Sequence, residues 1–182
     1  TALATSNDLI NWKKQGVIIK GHKAASIFPK KINGKYYMFI GGKKIRIGLS
    51  SDLSDWKIEE KPILDIRKTK FENKYVEVGP PPFAYKDKLV LFFNTTDKQH
   101  RFYCSLALLD KNNPRKVIYR ADKPLLTPSE DYELKGFVNN VIFGSGLVEF
   151  KGTYFYYYGA ADKYVGVATV KKKEMEKYLS SL

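Results

Sequence analysis

Cysteine and histidine are almost missing from this 182-residue sequence: Cys104 stands alone, and His22 and His100 are the only imidazoles. One cysteine excludes an internal disulfide framework and a cysteine-built zinc site. A metal centre on two histidines would need both of them plus carboxylates from distant loops, so neither a metal nor a cofactor is expected. Acid is scarce too, with 19 Asp and Glu against 32 Lys and Arg and a net charge of +13. Apolar runs are short, and Leu89–Phe93, among the longest, is strand-sized. A membrane span needs ~18–20 residues, so a soluble chain without membrane contact is expected. The sequence opens at Thr1 without a start methionine or a recognisable leader, which points to a piece of a longer polypeptide. A lone thiol fits the cytoplasm, the compartment we expect.

An excess of cations raises nucleic acid as a partner, because neutralised phosphates release counterions. The lysines, however, are scattered singly and in pairs, as at Lys30–Lys31, Lys43–Lys44 and Lys57, and only Lys171–Lys173 forms a run. No helix-turn-helix, RNP-type or zinc-finger pattern accompanies them, so no nucleic-acid partner is expected. Scattered lysine reads instead as solvated strand edges and loops, where it discourages aggregation.

What is present is a strand-forming sequence with ample core material, 43% hydrophobic and 14% aromatic. Ser26–Ile32 and Tyr36–Ile40 flank Asn33-Gly34, the dipeptide of a tight hairpin. Phe83–Tyr85 with Leu89–Asn94, and Leu147–Phe150 with Tyr154–Tyr158, form two further hairpins, and Ile45–Leu49, Tyr103–Leu108 and Val165–Val170 supply outer strands. A helix is expected only at the end, over Lys172–Leu182, where straight-chain residues run without Gly or Pro. The stretch Ser6–Trp12 recurs as Ser50–Trp56, 44 residues later, with a diverged third copy at Leu109–Pro114. Each Asp is placed to hold its own turn, and each Trp to fill the space beneath it as part of the repeat's core. The first two copies follow an apolar strand and precede another, at Val17–Ile19 and Pro62–Leu64. Self-similarity at ~40–50 residues with about four strands per unit marks a β-propeller, against which an open β-sandwich is the alternative. The expectation is all-β: one partial β-propeller domain over residues 1–182, about three to four blades with a short C-terminal helix.

Phe28–Tyr36, Gly79-Pro80-Pro81-Pro82-Phe83 and Tyr157–Asp162 resemble, in order, signature segments of glycoside hydrolase family 130. So do Ala107–Asp110 with Pro114–Arg120, Asp131-Tyr132-Glu133 and Asn140–Phe143. The resemblance implies a five-bladed propeller whose central pocket handles β-mannosides, making a mannoside oligosaccharide the expected partner. The family holds phosphorylases, which cleave with inorganic phosphate, and hydrolases, which use water; both invert the anomeric centre. Its proton-donor Asp lies upstream of the segment matching Ala4–Leu9, so the first blades and the acid are expected outside this sequence. An incomplete ring would leave edge strands open, and a partner chain, an oligomer or a swapped blade is expected to cover them.

Phosphate needs several cationic and hydroxyl donors. Among the positions where the family's phosphorylases bind it, Lys23 keeps a basic residue, Gly41 replaces an Arg with no cation standing in, and the segment Phe92-Phe93-Asn94 stands where a His is expected. A Tyr position reads Phe102, although Arg101 or Tyr103 could serve with a one-residue slip, and His100 could join them. Glu77 stands where phosphorylases carry Gly. There it would repel phosphate but could act as the base of an inverting glycosidase, unless it is a solvated or Lys-paired strand-end residue. Asp162 matches a family Asp that binds mannosyl hydroxyls, with an Asx-turn as its alternative. Inverting hydrolysis of a β-mannoside is therefore expected, with Glu77 catalytic and Asp162, Lys23, Arg101 and Tyr103 binding substrate. A β-mannoside phosphorylase and a non-catalytic glycan-binding propeller are the alternatives.

Overall fold

The computed structural model describes residues 1–182. In chain order the strands are β1 (Ala2–Thr5), β2 (Lys13–Val17), β3 (Ala25–Ile32), β4 (Lys35–Ile40), β5 (Arg46–Ser50), β6 (Lys57–Ile58), β7 (Tyr75–Val78), β8 (Phe83–Tyr85), β9 (Lys88–Thr96), β10 (Phe102–Asp110) and β11 (Val117–Arg120). A single-turn helix α1 (Asp131–Leu134) precedes β12 (Ile142–Phe150), β13 (Thr153–Ala160), β14 (Tyr164–Lys171) and the helix α2 (Lys172–Ser180). Pairing between strands of each sheet is antiparallel, in four sheets: β1-β2, β3-β4-β5-β6, β7-β9-β10-β11 with β8 also on β9, and β12-β13-β14. These are successive meanders of the blade type, and they do not close into a ring. Neither helix is long and apolar enough to cross a membrane.

Local chemistry explains the turns. Asn33-Gly34 and Lys151-Gly152 both lie at positive φ (49° and 77°, 47° and 74°), the twist that lets a two-residue loop join antiparallel strands. The repeated turn has one backbone solution, with Leu9 at φ 61° and Leu53 at φ 73°. In each copy an Asp carboxylate collects the following amides: Asp8 Oδ1 accepts from Ile10 and Asn11 N–H (2.9 and 2.7 Å), and Asp52 Oδ1 from Ser54 and Asp55 N–H (2.9 and 3.2 Å). Those bonds hold both carboxyls well below the usual range. The third copy does the same, with Asp110 Oδ1 accepting from Asn112 and Asn113 N–H (2.9 and 3.0 Å).

Each turn's indole N–H donates to a backbone carbonyl, Trp12 to Leu9 and Trp56 to Leu53 (3.3 and 2.8 Å). Only Trp56 is packed on a core, beside Ile19, Met38 and Ile40, while Trp12 is exposed. The Pro80–Pro82 run splits one edge of the central sheet without changing its partner: β7 and β8 both pair with β9, before and after the break. Three expectations are corrected: Val17–Ile19 is no strand, since β2 ends at Val17; Pro62–Leu64 makes only an Ile45–Leu64 bridge because Lys57–Ile58 is the outer strand; and α1 adds a second helix.

The core lies between sheets, not within one. Phe28, Phe39, Ile47, Leu89, Leu91 and Phe93 fill the space between the β3–β6 sheet and the central one. Val90, Phe92, Leu106, Leu108, Ile142 and Tyr156, joined by Leu179 of α2, fill the next. β9 therefore sends alternate side chains into two cores, which is why its sequence is a continuous apolar run.

Candidate active site

Strand register decides which loops share one end of the sheets. Ala25 at the start of β3 faces Ile40 at the end of β4; Thr96 at the end of β9 faces both Tyr75 and Phe102; Ile142 at the start of β12 faces Ala160 at the end of β13. The entries to β3, β7 and β12 thus lie at the same end as the β4–β5, β9–β10 and β13–β14 loops. Bonds between sheets draw these ends together. Val76 and Val78 N–H donate to the Lys43 and Gly41 carbonyls (both 3.4 Å), and Phe102 N–H donates to the Asn140 carbonyl (2.9 Å).

Glu77 sits inside this junction. Val76 and Val78 face the core, so Tyr75 and Glu77, on the other face of β7, line a cleft of about 290 Å³ with Lys23, Gly42, Lys43 and Phe102. The Glu77 side chain is only 10% exposed, and its one ion-pair partner is the Lys23 ammonium at 3.4 Å. Gly42 permits this pairing, because a Cβ there would lie 2.8 Å from Lys23 Cε and 3.0 Å from Glu77 Oε1. Gly41 turns the loop at φ 140°, with space for a Cβ blocked by the Lys44 carbonyl at 1.9 Å. Beside it Lys44 is paired with Asp65 (2.7 Å) and Arg46 donates to the Glu60 carbonyl (3.0 Å), which leaves Lys43 without an ion-pair partner. Lys43, two residues beyond Gly41, lines the same cleft as Lys23. Two glycines after an apolar strand, followed by two lysines, were the signal in the sequence.

The other candidates divide. Asn94 is fully buried and spent on structure: its Nδ2 donates to the Gly144 carbonyl (3.1 Å) and the Val78 carbonyl (3.3 Å), and its Oδ1 accepts from Gly144 N–H (2.8 Å), tying β9 to β12. Phe102 lines the cleft; Tyr103, the next residue along the strand, is turned away, and its hydroxyl donates to Asp97 (2.9 Å). Arg101 donates to Asp97 through its backbone N–H (3.0 Å) and its Nε (2.7 Å). Burial alone would raise the Asp97 carboxyl, but these donors outweigh it and hold it below its ordinary value. Burial, and then donation to Asp97, push the Tyr103 phenol up to about 12. Arg101 and Tyr103 therefore form an internal clamp, not a lining of the Lys23 cleft. His100 lies against the Lys74 ammonium at the same mouth. Asp162 stands exposed at the tip of the β13–β14 hairpin, at φ 53°, on the end shared with Glu77.

Known proteins give the comparison. The family model for glycoside hydrolase 130, described as β-1,4-mannooligosaccharide phosphorylase, matches residues 1–180. A 1,2-β-oligomannan phosphorylase of Thermoanaerobacter sp. (strain X514) is 38% identical, covering 96% of this chain and 59% of that protein. A β-1,2-mannobiose phosphorylase of Listeria innocua is 32% identical over 182 residues, covering 51% of its own length. The solved structure of a Listeria innocua β-1,2-mannobiose phosphorylase in complex with β-1,2-mannobiose superimposes with a TM-score of 0.90, over all of this chain and 53% of that one, at 32% identity. Another, from a description of GH130 glycoside hydrolases that target β-1,2 mannosidic linkages in Candida mannan, gives 0.87 at 29% identity over 94% of this chain and 58% of its own. The chain spans between about half and three-fifths of the curated relatives it matches.

Proposed function

Because the chain belongs to glycoside hydrolase family 130, we propose that it forms part of a β-mannoside-cleaving enzyme and that the cleavage is phosphorolytic. The observation that carries this reading is the cleft that Lys23 and Lys43 both line, in which Glu77, the one carboxylate there, is paired with Lys23. Two lysines against one carboxylate give the lining a net positive charge, which suits an incoming phosphate. Curated relatives that are mannoside phosphorylases support the same choice.

In the proposed reaction a phosphate oxygen attacks the anomeric carbon, the bond from that carbon to the glycosidic oxygen breaks, and the departing oxygen takes a proton from an acid outside the residues assigned above. Inversion and mannose 1-phosphate follow. Lys23 and Lys43 hold the nucleophile, and Asp162, at the same end of the sheets, orients the mannosyl hydroxyls as an acceptor.

Hydrolysis is the second reading. It is favoured by Glu77 itself, a nearly buried carboxylate facing the cleft, placed where a base could take a proton from water. Incubation of the full-length polypeptide, including the segment that carries the acid, with a β-mannobiose separates the two. Mannose 1-phosphate should form at a rate that rises with phosphate concentration. Free mannose released equally with and without phosphate would move the assignment to water, with Glu77→Gln then abolishing turnover. A sugar-dependent rise in melting temperature without either product would identify a glycan-binding propeller.

A further inference from the structure

We propose that Lys43 supplies the anion contact of this cleft from the β4–β5 loop, and that Glu77 is its resident counter-ion, competing with phosphate for Lys23. The inference rests on the phosphorolytic reading above and adds to it which residues decide phosphate affinity.

The backbone fixes Lys43. Gly41 N–H donates to the Ala24 carbonyl (2.9 Å), the carbonyls of Gly41 and Lys43 accept from β7, and Ile45 N–H closes the loop on the Leu64 carbonyl (2.8 Å). The Lys43 Cα is thus held against the strand that carries Glu77, and Lys43 lines the cleft with no carboxylate paired to it. Neighbouring Lys44 is the natural contrast, being bound to Asp65.

The Lys23–Glu77 pair is lopsided. Lys23 is 81% exposed and Glu77 is 10% exposed. An ammonium so open to water is held weakly, so it can turn from the carboxylate to a dianion that enters the cleft. Glu77, nearly enclosed, cannot follow it. Once phosphate has taken Lys23, the carboxylate remains close by as an unpaired like charge that weakens binding. In the empty cleft the same carboxylate offsets the lysines. The arrangement makes phosphate affinity low and lets residue 77 set it.

Inorganic phosphate titrated into the 182-residue protein at fixed ionic strength, followed by calorimetry, tests this. Wild type should saturate weakly. Lys43→Met should weaken binding about tenfold or more, the size of one lost charge-assisted contact, while Lys44→Met leaves it within about twofold, as expected for a paired surface lysine. Glu77→Gln should tighten it. Circular dichroism and β-1,2-mannobiose binding, measured on every variant, guard against misfolding. Lys43→Met binding phosphate like wild type, Lys44→Met losing as much as Lys43→Met, or Glu77→Gln binding more weakly would each overturn the proposal. Absence of phosphate binding by a wild-type protein that still binds mannobiose would overturn it while leaving the mannoside assignment intact. Loss of mannobiose binding as well would bring down both.

Discussion

Asn94 shows how a residue can vanish from one role and be absorbed by another. It belongs to the Phe92-Phe93-Asn94 segment that stands where a phosphate-binding His is expected, which reads as a loss; in the fold its amide makes three bonds between β9, β7 and β12. Asn94→His should therefore add no phosphate affinity. It should lower the free energy of unfolding in urea by about 1–3 kcal/mol, because the buried Gly144 N–H loses its acceptor. Asp97 makes a prediction in pH. Its folded pKa is held below the unfolded value of about 3.9, so its stabilisation is complete above that value and is lost as pH falls through the folded one. Urea midpoints should drop more steeply below pH 4 for wild type than for Asp97→Asn. At this scale the sequence disclosed two candidates that the fold brings together, Glu77 and Lys23. It could not disclose which side chains were already spent, because the partners of Asn94, Tyr103 and Arg101 depend on strand direction and on a neighbouring sheet.

Among the elements, the β4–β5 loop carries the most weight. Gapless counting invites Gly41→Arg as a repair of the phosphate site. The backbone forbids it: φ is 140°, and a Cβ would meet the Lys44 carbonyl at 1.9 Å. The variant should displace Lys43, lose phosphate affinity and cost about 1–3 kcal/mol, the usual size of stored backbone strain, where an added arginine on a permissive loop would have raised affinity. The hairpins were legible because Asn33-Gly34 and Lys151-Gly152 state their own φ. The repeated Asp turns were legible because a carboxylate two residues before a pair of amides needs nothing from the rest of the fold. β7 was legible only in part: Glu77 could be read as a Lys-paired strand-end residue, but which lysine pairs with it depends on a loop of another sheet. α1 escaped for a similar reason: its Glu133 is buried, accepting from the Tyr158 hydroxyl (2.6 Å) and from the Ser129 and Glu130 amides (2.8 and 3.0 Å), a capping arrangement completed from β13.

Taken whole, the molecule has two apolar margins. Leu9, Ile10 and Val17 are exposed beside the β1–β2 sheet, and Val148, Phe150, Val165 and Val167 on β12 and β14. Surfaces of this kind favour association, and the net charge of +13 opposes it. Sedimentation should show self-association that grows with protein concentration and with salt, which screens the repulsion. Val165→Lys combined with Val167→Lys should remove it. A monomer under all conditions would mean that the margins are not adhesive. The central sheet has the opposite character. Because β9 feeds the cores on both of its faces, its amides cannot open while either neighbour stays docked. In deuterated water they should exchange last, at the rate of global unfolding, whereas β1, β2 and β14 exchange early through local fraying. Such a chain would lose its margins first and its centre all at once, so that the cleft, stitched to β7 along one flank of that centre, survives the loosening of either end.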